Sequence, residues 1–158
     1  MMKKLLFFAI LPAIFATQIF AQETFTNESA MVKVTLPAGW NYENTDGGIV
    51  AHPDGGGFAV FLQVFPGDDL SVALDEVDKS LAESYSNIKW ENAVTRDING
   101  MSAITVDGTA DNLLLVVGVI DTPAPDKTLM VGAWGTPDVI QKYEKDITLI
   151  LTSIAPAN

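Results

Sequence analysis

Polar side chains vanish between Asn112 and Asp121, where Leu113–Leu114–Leu115–Val116–Val117–Gly118–Val119–Ile120 runs uninterrupted. The run is short and rich in β-branched residues, which suits a strand better than a helix. A strand with one wet face would alternate apolar and polar positions. Without alternation, this strand must be covered on both faces, so layers are expected above and below the sheet.

The remaining pattern supplies the other elements. Met31–Leu36 alternates and closes at Pro37–Ala38–Gly39, which predicts a first strand. Residues 41–48 are rich in turn formers, and Gly48–His52 predicts a short second strand. Phe58–Phe65 predicts a third, closed by Pro66–Gly67. Leu70, Leu74, Val77, Leu81 and Tyr85 recur at helical spacing behind Asp68 and Asp69, acids that favour a helix start. Trp90–Ile98 reads as a more polar strand near an edge, joined by the hairpin signal Asn99–Gly100 to a strand over Met101–Thr109. After the central strand come a turn at Thr122–Asp126 and a strand over Lys127–Gly135. Thr136 and Pro137 then open a second helix, whose stripe is Ile140, Tyr143, Ile147, Leu151 and Ile154. The expected fold is α+β, in the order βββ-α-ββββ-α. Its sheet is mainly antiparallel, of about six to seven strands, with helices covering it as an α/β/α sandwich.

The N-terminus changes the picture of where this domain works. Met1–Lys4 is basic, Leu5–Ala16 is apolar, and a small residue stands at Ala21, the pattern of a secretory signal peptide over residues 1–21. Residues 22–30 read as a flexible lead-in and 31–155 as a single domain. The expected location is the bacterial periplasm or medium, with no membrane span once the leader is removed. The chain has no cysteine, which excludes disulfides, thiolate metal sites and a Cys nucleophile. Its net charge is −11; removing residues 1–21 takes away two lysines and no acid, leaving −13. Such a surface repels nucleic acid and anionic membranes.

Leu36–Pro37–Ala38–Gly39–Trp40, the strand and turn Ile49–Gly55, the Asn99–Gly100 hairpin and the closing Leu149–Ile154, taken in this order over residues 31–154, resemble the PsbP-like superfamily. That superfamily comprises the extrinsic photosystem II subunit and many exported bacterial proteins. The resemblance implies an α/β/α sandwich and a binding, assembly or accessory role rather than catalysis. None of the superfamily's functional residues maps onto this sequence closely enough to transfer.

Candidate chemistry is sparse. His52 is the only histidine and so the only side chain with an unperturbed pKa near neutrality. Asp54 and several serines are available for a triad, but no serine stands in a Gly-x-Ser-x-Gly elbow. His52–Pro53–Asp54 also matches the tripeptide of J-type co-chaperones. Here it ends an apolar strand before three glycines instead of joining two helices. Asp46–Gly47–Gly48 and Asp54–Gly57 could face oxygen ligands to Ca²⁺, but they lack the EF-hand spacing and read as turns. No metal site or cofactor motif is expected. Trp40, Trp90 and Trp134 could line an apolar cleft. With His52 and Asp54 they form the expected ligand-binding set. The leading expectation is a non-catalytic exported domain that binds a protein or small ligand. The alternatives are a small hydrolase using His52 as general base and, below it, a Ca²⁺-responsive module.

Overall fold

The structure, a computed structural model, describes residues 21–158. The expected leader, residues 1–21, lies outside them except for Ala21. The elements in chain order are β1 (Thr24–Asn27), β2 (Val32–Thr35), β3 (Trp40–Thr45), β4 (Gly48–Pro53), β5 (Val60–Pro66) and α1 (Leu70–Ala82). They continue with β6 (Lys89–Trp90), β7 (Val94–Ile98), β8 (Met101–Ala110), β9 (Leu113–Asp121), β10 (Lys127–Gly135), α2 (Pro137–Ser153) and β11 (Ala155–Pro156). The main sheet runs β3-β4-β5-β10-β9-β8-β6, with β7 also paired to the outer edge of β8. A smaller sheet runs β1-β2-β11. Every pairing is antiparallel.

The apolar run is β9, and the layering it demands is present. Leu115 and Val117 pack with Val77 and Leu81 of α1. Leu114, Val116 and Ile120 belong with Ile147, Ile150 and Leu151 of α2. Alternate side chains of a strand point to opposite faces, so the two helices lie on opposite sides of the sheet. Leu115 and Val117 are 1 % exposed and Ile120 is 0 % exposed, which closes both flanks at the centre. The α+β sandwich expected from the sequence is the fold observed.

The helices start where their sequences direct. Asp69 caps α1, accepting from the Ser71 and Val72 amides at 2.8 and 3.3 Å. Thr136 precedes Pro137 at the first position of α2 but makes no side-chain cap bond. Helix α1 ends at Ala82, so Tyr85 comes after it, in a turn whose amide bonds the Leu81 carbonyl.

Several strands differ from the expectation. Residues 24–27, read as part of a flexible lead-in, form β1 and pair with β2. Residues 40–45, read mostly as turn, form β3. It is a sheet-edge strand whose alternation is short: Trp40 and Tyr42 turn to the core, while Asn41, Glu43 and Asn44 are exposed. The strand expected over 90–98 is two pieces, because the chain leaves β8 at Asn92–Ala93, after a last bond from the Glu91 amide to the Asp107 carbonyl at 2.8 Å, before rejoining it as β7. The short β11 returns to β2.

Cover over the sheet is uneven. On one face α2 lies over β9 and β10, with β2 beside it. Ser153 Oγ at the end of α2 donates to the Thr35 carbonyl and accepts from the Thr35 amide, both at 3.0 Å. Among the described residues no element covers the β7–β8 end of that face. On the opposite face α1 lies over β9 and β10, and the β4–β5 end is left half-exposed at Val50, His52 and Phe61.

Candidate functional site

The uncovered β7–β8 end forms a groove of about 710 Å³. This lies within the range of roughly 300–1,000 Å³ usual for ligand sites. Its floor is Val116, Gly118, Val131 and Ala133; one wall is Ile147, Thr148, Leu151 and Thr152 of α2. The facing wall is Val94, Arg96 and Ile98 of β7, and Glu91, Asn92, Thr105 and Asp107 complete the rim. Val94 is 46 % exposed, an apolar side chain left open on this wall. Gly118 sets the close approach of the α2 wall, since a Cβ there would meet Leu151 Cδ1 at 3.3 Å.

Local sequence fixes the groove's shape. Asn99 and Gly100 adopt φ values of 51° and 86°, as a tight two-residue hairpin requires. The Asn99 side chain then crosses to the end of α2, where Nδ2 donates to the Thr152 and Ile154 carbonyls at 3.0 and 2.6 Å. These are carbonyls at the helix C-terminus, left without intrahelical partners. The contact ties the β7–β8 hairpin to α2 and holds the two walls at a fixed separation.

Polar groups around the groove are unevenly engaged. Arg96, the only arginine in the chain, donates from Nε to Thr105 Oγ1 at 2.8 Å. It joins neither of the ion pairs found among the described residues, His52–Glu43 and Lys79–Glu76. Its neighbour Asp97 accepts from the Gly100 amide at 3.0 Å and so serves the turn. Thr148 and Thr152 donate their hydroxyl protons to the Glu144 and Thr148 carbonyls at 2.9 and 2.8 Å. Lys79, held above its ordinary pKa by its hydrogen bond to Glu76, is on α1, across the sheet from the groove.

The five residues expected to bind ligand lie elsewhere. Trp40 is 5 % exposed, edge-on to Phe58 and Tyr143 at 6.3 and 5.9 Å. Its Nε1 donates to Asp146 Oδ2 at 3.1 Å, fastening β3 to α2. Asp54 accepts from the Asn41 amide group and shares with Trp40 a shallow recess of about 290 Å³ beside residues 21–23. His52 points to the other face of the same hairpin; Nδ1 is 3.3 Å from the Pro53 carbonyl and Nε2 is 3.9 Å from Glu43. Trp90 and Trp134 are in the α1 layer. Trp90 Nε1 donates to Asp78 at 2.7 Å, and Trp134 stacks on Phe61 at 4.6 Å and 3°. The structure therefore brings Trp40 and Asp54 together and separates both from Trp90 and Trp134 by the thickness of the sheet.

Asp46–Gly47 forms the β3–β4 turn, with Gly47 at φ 89°, and Gly56 and Gly57 have φ values of 67° and 80°. Among the described residues no three His, Cys, Asp or Glu side chains converge as metal ligands, and no helix is long and apolar enough to cross a membrane. The groove itself escaped the sequence reading. Its one visible signal was the lone arginine on a polar edge strand.

No protein-family model matches the chain, and no curated protein matches it in sequence. Among solved structures it is similar to the cyanobacterial PsbP of Synechocystis sp. PCC 6803, with a TM-score of 0.67 and 10 % identity over 89 % of this chain and 95 % of that one. It is also similar to LpqN of Mycobacterium tuberculosis, described as involved in cell envelope biogenesis, with a TM-score of 0.55 and 14 % identity over 78 % and 82 % of the two chains. A Bacteroides thetaiotaomicron protein gives a TM-score of 0.54 and 15 % identity over 85 % of this chain, which spans 48 % of that structure. At these identities the likeness is one of fold, and the fold is PsbP-like.

Proposed function

We propose that this PsbP-like sandwich is a non-catalytic accessory domain, exported to the bacterial cell envelope, that binds its partner or ligand in the groove between α2 and β7. The observation that carries the reading is the groove, an open cleft with an apolar floor between α2 and β7 and a charged and polar rim that includes Glu91, Arg96 and Asp107. Export is supported by the basic and apolar leader pattern of residues 1–21 and by a structural neighbour described as involved in envelope biogenesis. A binding role rather than a catalytic one is supported by the surroundings of His52. Its ring nitrogens face a backbone carbonyl and a carboxylate, with no hydroxyl nucleophile at hydrogen-bond distance among the described residues.

The test compares the purified protein with a Thr148→Trp variant, which places an indole across the groove from an exposed helix position. Both are immobilised and exposed to envelope extract. Material retained by the wild type and lost by Thr148→Trp, but kept by a Phe61→Ala variant on the opposite face, supports the reading. Equal retention by wild type and Thr148→Trp overturns it. So does turnover of generic ester, peptide or glycoside substrates that disappears with His52→Ala.

A further inference from the structure

We infer that Asn99 is a deamidation site that the fold keeps shut. Its side-chain amide becomes a carboxylate when the hairpin and the end of α2 come apart, and the change then unties them permanently. Asn99–Gly100 is the only Asn–Gly pair in the chain; every other asparagine precedes a residue with a side chain or ends the sequence. The pair matters because the attacking atom is the backbone nitrogen of the following residue, and glycine puts no Cβ in its way. The Gly100 nitrogen bonds to Asn99 Cγ and closes a five-membered imide. The Cγ–Nδ2 bond breaks, and ammonia leaves with the proton lost from the Gly100 nitrogen. Water then opens the ring at either carbonyl, giving aspartate or isoaspartate. No oxidant or reductant is needed, and both residues are exposed to the water that the reaction consumes.

Two contacts oppose ring closure in the folded chain. Nδ2, the leaving nitrogen, donates to the Thr152 and Ile154 carbonyls at 3.0 and 2.6 Å. Both bonds stabilise the intact amide and both are lost in the imide. The Gly100 N–H donates to Asp97 Oδ1 at 3.0 Å. A bond to a carboxylate favours the protonated form of the nitrogen that has to lose its proton. The site therefore opens when the last turn of α2 lets go of the hairpin, a local event that needs no global unfolding. Once made, the product cannot restore the tie. Aspartate at position 99 turns oxygens, not donors, toward the two carbonyls, and sets a negative charge where the helix dipole disfavours it. Isoaspartate also lengthens the backbone of a two-residue hairpin loop, and loop length fixes the register of β7 on β8.

The experiment holds purified protein at mildly alkaline pH, one sample folded and one unfolded in urea. Peptide mass spectrometry follows each asparagine for the mass gained when NH2 becomes OH. The unfolded chain should convert at Asn99 before any other asparagine, and the folded protein should convert there about tenfold or more slowly. Converted chain is then refolded beside unconverted chain, and hydrogen exchange should be faster in the last turn of α2. Asn99→Asp, which carries one product without the reaction, should show the same faster exchange. Equal conversion rates in folded and unfolded protein overturn the inference, because the contacts then guard nothing. Earlier conversion at another asparagine in the unfolded chain overturns it too. Unchanged exchange in that turn, in the converted chain or in Asn99→Asp, shows that the product does not untie the hairpin and overturns the inference as well.

Discussion

The two uncovered corners of the sheet lie diagonally opposite, one on each face, and they differ in what bounds them. At the β7–β8 corner the side of α2 rises beside the bare strands, so exposed aliphatic side chains become the floor of a groove. At the β4–β5 corner Phe61 lies flat on Trp134, and Tyr85 approaches that indole edge-on at 6.4 Å. There the aromatic rings cover one another and leave a shelf. Half-exposed apolar surface alone does not make a site. It becomes one where a second element stands beside it without closing over it.

Substitutions separate the corners, taken from the largest effect to the smallest. Gly48→Ala should be the most damaging, because a Cβ there would lie 1.9 Å from the Leu62 carbonyl oxygen, which is backbone and cannot rotate away. A loss of about 3 kcal/mol is expected in urea unfolding. The contrast is Gly118→Ala in the groove floor, whose nearest neighbour is the movable end of Leu151; a loss there as large as that of Gly48→Ala would refute the contrast.

Asn99→Ala comes next. It removes two hydrogen bonds to the end of α2 and puts alanine at positive φ, for an expected loss of about 2 kcal/mol. Hydrogen exchange should quicken in the last turn of α2, and the groove should bind more weakly. Unchanged exchange in that turn would show that the strap does not hold the walls.

Phe61→Ala should remove about 1.5 kcal/mol, less than a fully buried phenylalanine because the ring is only half covered. Its thermal midpoint should fall while groove binding is untouched. Thr148→Trp should leave stability within about 0.5 kcal/mol of wild type, as expected at an exposed helix position, yet block the groove. A large drop in stability would show that position 148 is part of the core packing.

The layering could be read from the residues, because Leu113–Ile120 contains no polar position and only two covering layers satisfy it. Both helices and the Asn99–Gly100 hairpin were legible for similarly local reasons: periodicity, caps and turn chemistry. β1 and β3 were not. Their alternation is at most two residues deep (Trp40 and Tyr42 in β3, Phe25 alone in β1), and it is set among turn formers that composition does not distinguish from loop. The candidate groove was hidden for a different reason. It exists because α2 stops short of β7, a fact of tertiary placement that no stretch of residues encodes alone. The tryptophans misled in the same way. Trp40 and Trp134 sit in strands whose register sends them to opposite faces, and register comes from pairing rather than from composition.

In the small sheet, β1 and β11 flank the same strand, β2, and run parallel to each other, so Thr24 stands beside Thr35 at one end of β2 and Pro156 beside Val32 at the other. A Gly/Ser bridge from residue 158 to residue 22 must therefore run the length of β2, and with such a bridge a fresh cut at Gly55–Gly57 would give a circularly permuted chain that keeps every sheet pairing. A Cβ at any of those three glycines has nothing within 4 Å, so the new ends would open into free space. The order in which the ribosome delivers these strands is thus separable from the architecture they build.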